Sequence, residues 1–186
     1  MKRLFDFILA LFLIFLLMVP MIIITIVIKL TSRGAAIHWS DRVGKNNVVF
    51  KMPKFRSMKI ETPDLATHLL KDSSSTLTPV GSFLREYSLD EIPQLWSIIK
   101  GDMSFVGPRP ALFNQDDLIT LRSTYGIEKI LPGLTGWAQV NGRDDLPITE
   151  KVQKDVEYLQ RHSFLFDLKI LWLTFLKVIK KDGISH

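Results

Sequence analysis

Two adjacent carboxylates carry the strongest chemical signal in this chain. They lie in Ser88-Leu89-Asp90-Glu91. Ser followed three residues later by Glu fits a capping box, with Ser88 as N-cap and Glu91 at the third helical position. Acids in a first turn also complement the helix dipole, and that dipole keeps a carboxylate ionised, as a nucleophile or a Mg²⁺ ligand requires. Neighbours on a helix point about 100° apart, so the two acids can divide the work of nucleophile and of proton or metal handling but cannot share one atom. Pro93, one turn on, removes a helical hydrogen bond. The chain has no Cys and only four His, which excludes disulfides, thiolate nucleophiles and Cys-ligated metals. With no evident Ser–His pair, a carboxylate is the best nucleophile available.

Cations and glycines punctuate other segments. Arg109 stands between two prolines in Gly107-Pro108-Arg109-Pro110, where its planar fork has little freedom to lose on gripping a phosphate. A structural carboxylate is the competing partner for it. Lys54 and Arg56 are two apart and share one side if that segment is a strand. Pro132–Arg143 combines glycine breaks, the Trp137 ring and the amides of Gln139 and Asn141, a set able to hold a nucleotide base. No G-x-x-x-x-G-K-[ST] occurs and no G-x-G-x-x-G follows a strand, which argues against a P-loop ATPase and a Rossmann dehydrogenase.

The elements that must position these residues begin with an apolar run. Residues 7–28 contain no charge, and Thr25 is their one polar side chain. At about 1.5 Å per residue the run reaches roughly 33 Å, enough to cross a bilayer core of about 30 Å. It is long for a signal peptide. A spanning helix and a re-entrant hairpin remain. Pro20 inside the run and cations on both sides (Lys2 and Arg3, then Lys29 and Arg33) favour the hairpin, with Asp6 hydrated at headgroup depth. A membrane anchor over 1–30 and one domain over 31–186 follow. Removing Lys2, Arg3, Lys29 and Asp6 from the totals leaves 21 basic and 18 acidic residues, a net of +3. That suits a membrane surface or phosphorylated ligands, not nucleic acid.

Strands are predicted at Ile37–Ser40 and Val48–Met52 around a 44–47 turn, and another at Trp137–Val140. Helices are predicted over Thr62–Lys71, Pro79–Glu86, Ser88–Lys100 ending at Gly101, Asn114–Tyr125, Thr149–Arg161 and Phe164–Lys181. Pro132–Gly136 and the Ser73–Ser75 segment read as loops. The last helix carries Trp172 and Phe175 with a basic edge of Lys169, Lys177, Lys180 and Lys181, the make-up of an interfacial helix or of a core helix with basic ends. The fold class is α+β, predominantly helical, with a small β-hairpin or sheet.

Taken together, KRLFDFILA at the start, KFRSM at 54–58, SLDEIPQLW at 88–96, KGDMSFVGPRP at 100–110, PGLTGWAQVNGR at 132–143 and FDLKILWLT at 166–174 resemble the bacterial sugar transferases, the monotopic polyprenyl-phosphate phosphoglycosyltransferases. These blocks occur in order over nearly the whole chain. The resemblance implies transfer of a phosphosugar from a UDP-sugar to undecaprenyl phosphate. UMP leaves in a ping-pong reaction, as the first membrane step of a bacterial glycan. Asp90 would be the nucleophile beside Mg²⁺, with Glu91 as its catalytic partner and Lys54, Arg56, Arg85, Arg109, Gln139 and Arg143 as substrate contacts. It further implies a re-entrant helix bent at Pro20 in the cytoplasmic membrane, with the catalytic domain on the cytoplasmic face. Later glycosyltransferases are the expected protein partners. The family's Ser-Pro pair is Val19-Pro20 here, and its Gln-x-Arg segment is replaced at 38–42, although Arg42 and Gly44 remain. Asp155 and Asp167 match its later acidic positions without an assigned role. The alternatives are a non-catalytic membrane-anchored scaffold and a phosphohydrolase with an Asp nucleophile. The intact Asp-Glu pair and Pro-Arg-Pro loop argue against the scaffold, and the lack of a water-activating His against the hydrolase.

Overall fold

The computed structural model describes residues 1–60, 62, 76–142 and 146–180, the side chains of 179 and 180 excepted. The helix expected over 62–71 (Thr62 apart), the 73–75 loop, Arg143 and Lys181 lie outside these residues.

The apolar run forms one helix, α1 (Lys2–Thr31), which continues on both sides of Pro20. A stripe of α1 at helical spacing packs on the rest of the chain. Leu9, Leu13 and Leu17 meet one apolar cluster, and Met21, Ile24 and Ile28 meet a second. Its opposite side leaves Ile8, Leu11, Phe15 and Ile22 exposed. Both ends are bonded to the same body. At the start, Lys2 pairs with Asp167 and donates to the Val106 carbonyl at 3.2 Å, while Arg3 donates to the Ile99 carbonyl at 2.8 Å. At the end, Arg56 donates to the Ser32 hydroxyl at 2.8 Å and to the carbonyls of Ser32 and Arg33. Asp6 differs from expectation. It is only 2% exposed and accepts a 2.8 Å bond from the Ser104 hydroxyl; protein, not hydrated headgroups, solvates it.

The predicted hairpin forms and runs further. Strands β1 (Ile37–Val43) and β2 (Val49–Phe55) pair antiparallel from Ile37↔Phe55 to Val43↔Val49. Asn46 and Asn47 turn the chain at positive φ, which their short polar side chains tolerate. After α2 (Gly81–Glu86), the segment expected to be one helix from Ser88 divides. A 3-10 turn (Leu89–Gln94) leads into α3 (Leu95–Lys100), which Gly101 ends at φ 102°. Pro93 has no N–H to give an α-helical ladder there, and the tighter turn is the result.

β3 (Ser104–Val106) is followed by β4 (Ala111–Leu112), which adds to the free edge of β1 for a sheet order β2-β1-β4. Then come α4 (Asp116–Thr124), β5 (Gly133–Thr135) and α5 (Trp137–Val140). Here two expectations reverse. The 132–136 loop contains β5, paired parallel to β3, and the predicted strand at Trp137–Val140 is a helical turn. Packing overrides the β preference of Trp137: its ring meets Phe166 at 5.1 Å and its indole N–H donates to Glu157 at 2.6 Å. Helices α6 (Ile148–Arg161) and α7 (Phe164–Lys180) complete the chain. α7 buries Phe166 and Ile170 and leaves Leu165, Trp172 and Phe175 exposed, so it is both a core helix and one with a bare aromatic face.

Candidate active site

The site is built on the 3-10 turn. Ser88 enters it at φ 54°, a left-handed conformation, and makes no side-chain cap bond. The capping box expected from Ser88 and Glu91 is therefore not formed. A residue other than Gly in this region costs roughly 1–2 kcal/mol, and the strain reverses the chain between α2 and the turn. Glu91 is turned to cations instead. Lys54 Nζ, from β2, lies 3.0 Å from Glu91 Oε1, and Arg109 Nη2, from the loop between β3 and β4, lies 2.8 Å from the same oxygen. Two cations from distant segments thus converge on one oxygen, and neither takes Oε2. Burial alone would raise the Glu91 carboxyl, but Arg109 and Lys54 outweigh it and hold the group well below the usual carboxylate range.

Asp90 is 8% exposed, and among the described residues no hydrogen bond reaches its carboxylate. Burial pushes its pKa up to about 6, with Glu91 adding to the rise and Lys54, Arg85 and Arg109 opposing it. The sequence led us to expect a carboxylate kept ionised by the dipole; a turn this short and this buried acts the other way. Two neighbouring acids are therefore shifted in opposite directions, Asp90 up by burial and Glu91 down by its two cations.

Among the other residues singled out, Arg85 at the end of α2 contributes to the field at Asp90. Arg56 follows the last residue of β2 and donates to the carbonyls of Ser32 and Arg33, just past α1, and to the Ser32 hydroxyl. Gln139 is buried, and neither end of its amide has a partner among the described residues. It sits close to Gly136, where a Cβ would approach its Oε1 to 2.8 Å. The nearby glycines serve backbone packing. A Cβ on Gly133 would lie 2.1 Å from Gly107 N, and one on Gly136 the same distance from Gly107 O. The backbone just past β3 and that of β5 and its exit are pressed together there. The Trp137 ring, a candidate base platform, is taken up by Phe166 and by Arg161, 5.6 Å from its centroid. Asp167 receives Lys2 and the Tyr158 hydroxyl at 2.8 Å, so it fastens α1 in place.

One residue escaped the sequence reading. Arg122, in the last turn of α4, resembles an ordinary complement to a helix C-terminus, yet it is buried and paired with Asp155 at 2.7 Å. The signal was indirect: Arg109 lies between prolines, so its carbonyl needs a donor from elsewhere.

Apolar helix and acid pair belong to one body, because α3, which continues the 3-10 turn, also receives Arg3 of α1. α1 is long and apolar enough to cross a membrane; the class so defined is a membrane-associated protein with a cation-framed carboxylate pair. The chain belongs to the bacterial sugar transferase family, whose model matches residues 1–181. It is 40% identical over 186 residues to the uncharacterized sugar transferase EpsL of Bacillus subtilis (strain 168), covering 100% of this chain and 91% of that protein. It is 38% identical over 184 residues to the UDP-glucose:undecaprenyl-phosphate glucose-1-phosphate transferase of Escherichia coli (strain K12), covering 95% of this chain and 40% of that one. The undecaprenyl-phosphate glucose phosphotransferase of Komagataeibacter xylinus is 34% identical over 202 residues, with 100% and 36% covered. The chain thus spans well under half the length of the last two relatives.

Proposed function

We propose that the chain transfers a sugar 1-phosphate from a UDP-sugar to undecaprenyl phosphate through a covalent Asp90 intermediate. The observation that carries this reading is the split pair: Asp90 buried without a hydrogen bond among the described residues, and Glu91 held between Lys54 and Arg109. An Asp90 oxygen attacks the phosphorus that bears the sugar, and the bond from that phosphorus to the bridging oxygen breaks. UMP departs with that oxygen and its electron pair. An oxygen of undecaprenyl phosphate then attacks the same phosphorus, the acyl phosphate bond breaks, and the Asp90 carboxylate is restored. Anion attacking anion is opposed by repulsion, which Lys54, Arg85 and Arg109 offset. On this reading a diphosphate competes with Glu91 for Lys54 and Arg109. As the cations turn to the substrate, Glu91 is released from the field that holds it low and becomes able to accept a proton.

Mg²⁺ fits these residues. Mg²⁺ is usually bound by one or two carboxylates together with substrate phosphates, and Asp90 is a buried carboxyl that no donor satisfies among the described residues. Among the described residues no group of three or more His, Cys, Asp or Glu could hold a metal by itself, so phosphate oxygens would complete the shell. Asp90 would hold the ion with Glu91 beside it; when bound, the ion neutralises diphosphate charge.

The reading includes a monotopic placement, with α1 lodged in one leaflet and the body at the cytoplasmic face of the inner membrane. Its support is that Lys2 and Ser32, near the two ends of a 30-residue helix, bond to one body. The names of the relatives support the sugar nucleotide and the lipid acceptor. The reading extends, through the family resemblance, to the first membrane step of a bacterial glycan, with later glycosyltransferases as partners.

The experiment is to incubate detergent-solubilised protein with Mg²⁺ and a panel of UDP-sugars, without lipid. Mass spectrometry should find a phosphosugar on the peptide containing Asp90, with one UMP released per adduct. Free sugar phosphate without an adduct would instead indicate a hydrolase. A tag placed before Lys2 should be cleaved by protease from the cytoplasmic side; cleavage only from outside would overturn the monotopic placement.

A further inference from the structure

The Pro108-Arg109-Pro110 segment has a single backbone N–H, that of Arg109, because proline has none. It cannot be held by an ordinary ladder, and its carbonyls do the holding. Each takes a donor from a different element. The Gly133 N–H, from β5, reaches the Pro108 carbonyl at 2.9 Å. Arg122 Nη1, from α4, reaches the Arg109 carbonyl at 2.7 Å. Arg42 Nη1, from β1, reaches the Pro110 carbonyl at 3.3 Å. The donor on Arg109 is itself fixed: Arg122 Nε and Nη2 both bond to Asp155 Oδ2, at 2.9 and 2.7 Å. Asp155 is 1% exposed and Arg122 8%.

We infer that Arg122 and Asp155 are positioning residues for Arg109. They fix its main chain from behind, so that its guanidinium is already aimed at the Glu91 and diphosphate position before substrate arrives. A surface cation needs no such support. A buried ion pair is also weak evidence of stabilisation, since desolvation offsets much of its attraction; its retention here is explained by what the third nitrogen of Arg122 does. Lys in its place could serve Asp155 or the carbonyl but has no rigid fork to serve both. The inference rests on the reading of Arg109 as a phosphate-binding cation.

The test separates aim from folding. Arg122→Met and Asp155→Leu together remove both charges at similar volume, a change that buried pairs often tolerate. Thermal unfolding reports the fold, and UMP release from the UDP-sugar found active with the wild type reports the site. We expect the double variant to stay folded and to lose about tenfold or more in kcat/KM, since displacement of a binding group by about 1 Å is enough for such losses. The same double change in an Arg109→Ala background, followed under single turnover at high enzyme concentration, should cost less than about twofold, because its target is gone. Arg122→Lys, which keeps a cation beside Asp155, should fall with the double variant and supplies the comparison if that variant does not fold. Folded variants with wild-type UMP release, or an equal loss with and without the Arg109 side chain, would overturn the inference. Wild type that releases no UMP from any UDP-sugar would count against the transferase reading itself, a distinguishable failure.

Discussion

Two buried aspartates show how this molecule separates support from chemistry. Asp6, at the start of α1, is 2% exposed and receives the Ser104 hydroxyl at 2.8 Å. Asp90, in the 3-10 turn, is 8% exposed, and no hydrogen bond among the described residues reaches it. Around Asp6, Lys2 and Arg3 also find partners on the body, and the result is a fastened helix. Around Asp90 the nearest charges conflict: Glu91 repels, and Lys54 and Arg109 are engaged with Glu91. A buried charge that is solvated by the protein is part of the fold. One left unsolvated beside cations is available to a ligand.

The largest expected effect tests that division directly. Asp90→Asn should lower UMP release by about a thousandfold or more, as loss of a nucleophile does, and should not weaken the fold. The sign follows from the raised pKa. The folded-state value of about 6 lies above the ordinary 3.8. The protonated form is therefore favoured by folding, and that stability is complete below the unfolded value and is lost as pH rises through about 6. The shift is worth about 3 kcal/mol. In metal-free buffer the wild type should lose more stability across that window than Asp90→Asn, in which only the other buried acids, such as Asp155, still titrate. Parallel unfolding curves for the two proteins from pH 4 to 8 would erase the contrast with Asp6.

Next is Arg109→Ala. Removing a donor aimed at developing phosphate charge should lower UMP release about a hundredfold. It should also raise the Glu91 carboxyl, whose hold depends on Arg109 before Lys54. The carbon chemical shift of the labelled Glu91 carboxyl, followed with pH, would report this. A Glu91 titration unchanged by the substitution would mean that Lys54 alone sets it.

How much of this was legible in the sequence follows the same division. That Lys54, Arg109 and the acid pair belong together could be proposed because few other residues could do the chemistry, and the structure does bring them together; the first long helix was readable from its uncharged apolar run. The hairpin was found but cut short at both strands. What went unread depends on contacts between distant segments. The spacing of Arg56 from Lys54 was visible, but not its bonds to Ser32 and Arg33 just past α1. Asp6 looked hydrated because nothing local reveals Ser104. Trp137–Val140 is too short for a local preference to withstand packing on Phe166. The turn at Ser88 looked like a capping box because the left-handed entry is a property of the folded chain.

On the other side of the comparison, Asp6→Ala should behave as a structural change. It removes the acceptor of a buried charged hydrogen bond, which costs about 2 kcal/mol, and it leaves the Ser104 hydroxyl without its partner. Thermal unfolding in detergent should shift down, while UMP release per folded molecule stays within about twofold of wild type. A loss of turnover with the fold intact would show that the fastening at α1 reaches the acid pair through β3 and the Pro-Arg-Pro loop.

The smallest effect concerns Ser88, the one strained residue next to the acids. Ser88→Gly relieves a left-handed conformation worth roughly 1–2 kcal/mol, while glycine's extra freedom in the unfolded chain returns roughly 0.5–1 kcal/mol of that. These two backbone contributions alone leave a net gain under about 1 kcal/mol, read as a small rise in the unfolding temperature. The backbone bonds from Ser88 N–H to the Arg85 carbonyl and from Glu91 N–H to the Ser88 carbonyl need no side chain, so the turn should persist and UMP release should change by less than twofold or so. Ser88→Val supplies the counterpart: a β-branched residue strongly resists this region, so the turn should reopen, with stability and turnover falling together. If Ser88→Gly gained stability but lost tenfold in turnover, stiffness at Ser88 would belong with Asp90 as part of the chemistry. The boundary between fold and site would then run two residues earlier than Asp90.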